Sequence, residues 1–392
     1  MNRRTFFLSA TTAGWMISAQ ADQIRLGLIG AGGRGRYVAG VARQHAGAAI
    51  AGVCDVYEPN LEKGLSELGN QAKAYRNYKA LLDDKSINAV IIATPEHWHH
   101  RMLLDALAAG KDIYIEKPIC QTPEQGVELV DAVKRSKSIV QVGTQRRSYD
   151  LYLKARKIVE AGTLGNVRMV RCWWLNNMLG GGAPGPLKGP LDWEQWQGPA
   201  RRREMTPGRF QHWRYYSDYA GGIMADQGAH VFDGVQMLMG AGYVSVVNAS
   251  AGKIHRAEVD TPESVVVCAE YPEDFLAVFT LNYAAMPYKP ANDQLNQFDG
   301  DKARLDVSRD KLAIFARGSE EQAMLQETSG GTTKASEDHV KNFIECIRDR
   351  KPATATVEGA FQAALVTQMA NISLREGRRV RWNRNTRKVE VG

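Results

Sequence analysis

The chain has 392 residues, 44% of them hydrophobic and 24% charged, the composition of a globular enzyme with room for two domains, each with its own core. Its net charge of +7 is too small to argue for a nucleic-acid partner, and past the N-terminus no apolar run reaches the roughly eighteen residues of a membrane span. The five cysteines are scattered with no C-x-x-C pair, which excludes a zinc ribbon or a dithiol redox motif.

Residues 1–21 read as an export leader. Arg3-Arg4 precede Phe6-Phe7-Leu8, a mildly apolar stretch and the small residues Ala19-Gln20-Ala21 at a cleavage site. The arginine pair and weak hydrophobicity resemble a twin-arginine signal, which exports proteins already folded. The expected location is therefore periplasmic or otherwise exported, with the twin-arginine machinery as a transient partner and no stable membrane anchor. Removing Arg3 and Arg4 takes two charges from the +7 and leaves +5.

From Gln23 onward, short apolar runs alternate with helix-length segments: "IRLGLIG", "AAIAGVCD", "INAVIIAT", "DIYIEKP" and "IVQVG". Continuous apolar strands separated by helices predict a doubly wound parallel sheet over 22–150, a Rossmann domain that binds its ligand beyond the strand ends. After Asp150 the texture changes. "NVRMVRCWW", "VSVVNASA", "ESVVVCAEY" and "LAVFTLNYA" are longer strands without a helix after each. They predict an α+β second domain, 151–392, with a largely antiparallel open sheet. A Gly/Pro/Trp-rich excursion, 178–213, precedes a helix around 226–239, and two helical stretches near the C-terminus are free to pack back on the first domain. The basic clusters at 200–204 and 375–388 lack interleaved aromatics and read as solvated faces, not a nucleic-acid site.

Gly30-Ala31-Gly32-Gly33-Arg34-Gly35 follows a strand and opens a helix. In that context the glycines allow a tight turn, close approach to a pyrophosphate and helix–strand packing, while the helix N-terminus offers N–H groups to phosphate. Asp55 ends the next strand, twenty residues after Gly35. A carboxylate there accepts from both ribose hydroxyls and repels a 2′-phosphate, so NAD is favoured over NADP. The strand ends also carry "ATPEHWHH" (93–100) and "YIEKPIC" (114–120). The three histidines of the first lack the carboxylate–histidine spacing of a metal site, and no metal is expected.

Together, "GLIGAGGRG", "TPEHWHH", "EKP", "GTQRRS" and "GGIMADQGAHVFD" resemble, in order and spacing, the glucose–fructose oxidoreductase/inositol dehydrogenase family (Gfo/Idh/MocA), over Ile24 to Trp382. The resemblance implies that Lys117 of E-K-P lies beside both nicotinamide and substrate, and that Asp226 and His230 are the second domain's catalytic pair. Four residues apart on a helix, these two share a face. Oxidising a carbinol requires a base for its hydroxyl proton, which histidine supplies, with a carboxylate to orient the imidazole and an ammonium to stabilise the alkoxide. The candidate cofactor-binding set is Gly30, Gly32, Gly33, Arg34, Gly35, Asp55, Thr94, Pro95, His97, His99, Glu116 and Lys117. Glu96 stands where the family commonly has Asn. Arg146 and Arg147 match a basic pair near the substrate pocket, and His212, Arg214, Tyr216 and Tyr219 precede the catalytic helix. Trp193 and Trp196 are candidates for stacking on a sugar ring or for packing their own loop.

Outside the cytosol there is no pool of free NAD, so an exported enzyme of this kind must keep its cofactor tightly bound and restore its redox state within each cycle. Hydride exchange between two sugars, polyols or sugar derivatives satisfies that condition. So does a redox-neutral glycosidase or lyase that oxidises a glycoside transiently. A non-catalytic carbohydrate sensor on the same fold is the third expectation. The resemblance further implies a homo-oligomer formed through the second domain's open sheet.

Overall fold

The computed structural model describes residues 23–69, 71–176, 184–256, 258–329 and 331–392. The leader lies outside the described residues. In the first domain β1 (Ile24–Ile29), β2 (Ala48–Cys54), β3 (Lys73–Tyr75), β4 (Ala89–Ile92), β5 (Asp112–Ile115) and β6 (Val140–Val142) form one parallel sheet in the order β3-β2-β1-β4-β5-β6. Every residue of β4 and β5 is buried, because helices cover both faces. Strand order reverses between β1 and β4, and loops leaving a parallel sheet in opposite directions open a crevice there. The turns after β1, β2, β4 and β5 border it. The extra strand, β3, is only Lys-Ala-Tyr, too short and polar to show as an apolar run.

The second domain is built on a ten-stranded sheet. Its strands are β7 (Val167–Leu175), β8 (Val246–Ala251), β9 (Ser264–Tyr271), β10 (Phe275–Asn282), β11 (Gln294–Gly300), β12 (Ala303–Ser308), β13 (Lys311–Ala316), β14 (Leu325–Thr328), β15 (Val380–Asn383) and β16 (Lys388–Val391). They run in the order β14-β13-β12-β11-β7-β10-β9-β8-β15-β16, with β7–β10 parallel and the other pairs antiparallel. Alternation along β9 and β10 sends Val265, Val267, Ala269, Phe275, Ala277 and Phe279 inward, onto the helices.

Two of those helices set the site. Gly222–Met239 is apolar on nearly all sides and ends at Gly240, whose φ of 62° is the left-handed cap that glycine adopts without strain. It packs closely on Val357–Glu376: a Cβ on Gly228 would sit 2.6 Å from Thr367, so only hydrogen fits at the crossing. The helix Thr332–Asp349 returns to the first domain. Its Val340, Phe343, Ile344 and Ile347 are buried in the same cluster as Leu28, Val38 and Ala42. Each such side chain is worth about 1.5–3 kcal/mol when fully buried, so this return clamps the two domains together.

Candidate active site

A cleft of about 770 Å³ runs along the carboxyl ends of the first sheet and up to the helix Gly222–Met239. At one end lies the glycine turn. Gly30 has φ +90°, and a Cβ on it would meet the Ala93 carbonyl oxygen at 2.7 Å; one on Gly35 would meet Gly30 O at 2.0 Å. Gly32 and Gly33 instead face open space, and Gly32 caps the helix Gly33–Ala42 without any side-chain bond to its first N–H groups. Open glycine edges below an uncapped helix N-terminus fit a pyrophosphate. Asp55 borders the same end. Its Oδ2 accepts from Ala31 N (2.8 Å) and its Oδ1 from Tyr57 N (2.9 Å), while burial pushes the carboxyl up to about 6. Asp55 is therefore ionised at neutral pH and sits where an adenosine ribose adjoins such a turn. Arg34, from the helix's first turn, pairs with Glu116 at 2.7 Å.

A strap from the second domain docks beside this end. Leu191 bridges Tyr57 antiparallel, Glu58 N donates to Pro190 O (3.0 Å), Asp192 N donates to Val56 O (3.0 Å), and Lys188 N donates to the Tyr57 hydroxyl (2.9 Å). These bonds tie residues 188–192 to the segment directly after Asp55. Farther along, Trp98 Nε1 donates to Trp196 O (2.8 Å), and the Phe210 ring meets Tyr57 edge-on at 5.0 Å. Gln195, Trp196, Phe210 and Gln211 of the strap thus share the cleft wall with Asn60, Tyr78 and Trp98 of the first domain.

At the other end, Lys117 Nζ donates to Asp226 Oδ1 (2.6 Å) and to Asp226 O (2.8 Å). Gln227 Nε2 donates to Asp226 Oδ2 (2.8 Å), and Arg214 Nε stands 3.5 Å from Oδ1. Burial raises the Asp226 carboxyl, but Lys117 and Arg214 outweigh it and hold the group well below the usual carboxylate range. His230, one turn along the helix, also lines the cleft. Its ring lies nearly parallel to Trp174 at 6.5 Å, and its Nδ1 is buried without a hydrogen-bond partner. Burial, then the charges of Lys117 and Arg146, keep its pKa well below the ordinary value. The imidazole is therefore neutral at pH 7, the form that accepts a proton. Asp226 spends its carboxylate on Lys117, not on orienting the imidazole.

A sequence profile of the oxidoreductase family with an NAD-binding Rossmann fold, Gfo/Idh/MocA, matches residues 24–144, and that of its C-terminal domain matches 152–306. The chain belongs to the Gfo/Idh/MocA family. Among family members it is 30% identical to the inositol 2-dehydrogenase of Klebsiella pneumoniae subsp. pneumoniae over 159 residues, 40% of this chain and 47% of that protein. The match thus spans about half the length of that relative. The rhizopine catabolism protein MocA of Rhizobium meliloti is 24% identical over 350 residues, 89% of this chain and 94% of that one. In three dimensions, levoglucosan dehydrogenase in complex with NADH and levoglucosan superposes with a TM-score of 0.74 at 18% identity, over 92% of this chain and 99% of that one.

The family motifs place their residues unevenly. Gly30, Gly32, Gly33, Arg34, Asp55, Thr94, Pro95, Glu116, Lys117, His212, Arg214, Asp226 and His230 line the cleft. Gly35 lies beneath, packing helix on strand. His97 is turned into an aromatic cluster with Trp196 and Tyr219, its Nε2 2.9 Å from Trp196 O, and burial lowers its pKa to about 4. His99 joins two loops, with Nδ1 2.6 Å from Pro118 O and Nε2 2.9 Å from Thr94 O. Arg146 lies behind the helix, donating to Gln294 Oε1 (3.0 Å) and His230 O (3.4 Å), and Arg147 pairs with buried Asp233 at 2.7 Å. Tyr216 is buried under Arg209. Trp193 stacks on Trp196 at 4.7 Å, so the strap's tryptophans pack each other while Trp196 also reaches the cleft. Sequence reading missed Trp98, Gln145, Phe210 and Tyr215 on the cleft wall. Trp98 and Gln145 stand inside the quoted motifs "ATPEHWHH" and "GTQRRS", whereas the only sequence signal for Phe210 and Tyr215 was the density of aromatic residues in 193–219.

Proposed function

We propose that the protein is an NAD-dependent oxidoreductase that moves hydride to or from a carbinol carbon of a sugar, polyol or sugar derivative and keeps its dinucleotide bound between turnovers. The observation that carries this reading is the Lys117–Asp226 pair at 2.6 Å beside a neutral His230, at the opposite end of one cleft from Asp55 and the glycine turn. When bound, NAD supplies the hydride acceptor. His230 takes the hydroxyl proton, and Lys117 holds the oxygen on which negative charge develops. Asp226 keeps the ammonium aimed. Trp196, Phe210, Trp213 and Tyr215 line the same cleft with aromatic side chains, and Gln145 and Gln227 with amides, the side-chain types that suit a sugar ring.

The strap supports tight retention, because its bonds at Tyr57, Glu58 and Asp192 fix Gln195, Trp196, Phe210 and Gln211 as the second-domain wall of the cleft. The same enclosure supports a second reading, a redox-neutral glycosidase or lyase in which the cofactor ends each cycle as it began. Mass spectrometry of protein purified without added cofactor and then denatured tests the cofactor; release of NAD is expected, and release of NADP or of nothing overturns that reading. Incubation with glycosides and with paired sugar donors and acceptors then separates the chemistries, since aglycone release selects the second. We also propose export through the twin-arginine route, on the strength of Arg3-Arg4. Oligomerisation through the second sheet is proposed from its outer face, where Val266, Trp173 and Leu295 remain partly exposed; light scattering giving a monomer mass would exclude it.

A further inference from the structure

The roles given to Lys117, Asp226 and His230 leave one buried acid beside them without a task. Glu96 is 2% exposed and does not reach the cleft wall. From the turn Glu96–Trp98 its Oε2 accepts the Gly221 N–H at 3.0 Å, at the N-terminus of the helix that carries Asp226 and His230. Its Oε1 is buried with no hydrogen-bond partner. The charged groups around it are Asp226 on that helix, Lys117 in the turn after β5 and Arg214 just before the helix; the nearby Cys120 thiol, pushed up by burial to about 12, adds no charge at neutral pH. Two cations therefore meet two carboxyls. Asp226 has both oxygens bonded to donors, whereas ionising Glu96 would leave a bare, desolvated oxygen.

We propose that Glu96 is a positioning residue held as a neutral carboxylic acid behind the Lys117–Asp226 pair, so that Lys117, Arg214 and Asp226 together present one net positive charge to the substrate oxygen. The inference rests on reading that pair as the catalytic end of the cleft. A carbinol losing its proton gathers negative charge on oxygen, and a fixed net cation in a desolvated site stabilises it. An ionised Glu96 would cancel that charge. Burial, and then the charge of Asp226, lift the Glu96 carboxyl to about 8, which agrees with the geometry. The positive potential is thus present at pH 7 and fades as pH rises through 8.

Three versions of the full chain test this: wild type, Glu96→Gln, in which the amide oxygen still accepts the Gly221 N–H, and Asp226→Asn. Infrared spectra across pH 6 to 9.5 read the carbonyl band of a protonated carboxyl. We expect the wild-type spectrum minus that of Glu96→Gln, in which Asp55 and the other carboxyls cancel, to show a band at pH 7 that is lost around pH 8, and the same band to be lost at lower pH in Asp226→Asn, where the neighbouring charge is gone. A wild-type spectrum identical to that of Glu96→Gln at pH 7 overturns the proposal without touching the assignment of Lys117 and His230, since no turnover is read. L-tartrate, an anionic hydroxy-acid probe, should bind wild type about fivefold more weakly at pH 9 than at pH 7, and Glu96→Gln with less than about a twofold change. The same pH dependence in both proteins, or no binding to either, removes the net charge from the site.

Discussion

One ammonium, that of Lys117, makes both the carboxylate and the carbonyl contact to Asp226, so removing it leaves a buried acid with only Gln227 and Arg214 and takes away the charge proposed to hold the reacting oxygen. Lys117→Ala and His230→Ala should each lower the rate about 10²–10⁴-fold, the range lost with a general acid or base. The dinucleotide should stay bound in both, because the strap and the glycine turn are untouched. Near-wild-type turnover with cofactor present would remove that residue from the chemistry. Because burial and cations keep His230 unprotonated well below its ordinary pKa, the acid limb of the wild-type rate should lie below pH 6.5. A limb at 6.5 or above would mean an exposed imidazole is the base. Asp55 acts at the other end. If Asp55 holds the ribose, Asp55→Ser removes that acceptor and its repulsion of a 2′-phosphate, and should shift the NAD/NADP affinity ratio toward NADP by about tenfold or more. Titration of stripped protein with each dinucleotide reads this; an unchanged ratio assigns Asp55 only to the Ala31 and Tyr57 N–H groups.

Among the elements, those with a strong local signal were legible in the sequence and those dependent on distant partners were not. The runs ending at Gly30, Asp55, Thr94 and Lys117 showed as continuous apolar strands, and with them the half of the site that hangs on strand ends. The strands β11 and β12 carry Asn296, Gln297 and Asp306 in or near the core, so their alternation is broken by polar groups that find partners only after folding. The excursion 178–213 was visible but its docking was not, for a related reason: most of its anchors are backbone bonds to Val56 and Glu58, which no side-chain pattern announces. His97 misleads for the opposite reason, sharing a motif with cleft residues while the turn at Glu96–Trp98 rotates it into the aromatic cluster. Gly198 tests the strap. It has φ +49°, and a Cβ there would lie 2.0 Å from the Trp98 ring. Gly198→Ala must push Trp98 off the strap, an overpacking cost of about 1–3 kcal/mol, which speeds cofactor loss roughly tenfold or more. Gel filtration without added NAD should strip the variant before wild type; equal retention would show that the strap does not hold the cofactor.

At the scale of the whole molecule, cofactor retention and export make demands on each other. The strap and the helix Thr332–Asp349 both cross between domains, so the cleft is complete only when the two are folded together. If the chain is exported with its dinucleotide retained, as proposed, that dinucleotide must be acquired where NAD is present, before export. An export route that accepts folded cargo is compatible with this order, and one that threads an unfolded chain is not. Replacing Arg3-Arg4 by Lys-Lys keeps the N-terminal charge while removing guanidinium groups, which a receptor distinguishes from ammonium and a membrane surface does not. The variant should therefore remain in the cytosol, folded and loaded with NAD, while wild type is found outside carrying the same cofactor. Fractionation of cells expressing each, with assay of bound dinucleotide in both fractions, reads both halves at once. Wild type confined to the cytosol would refute the leader. Wild type exported but empty would refute loading before export, and with it the strap as the reason the cofactor survives the journey.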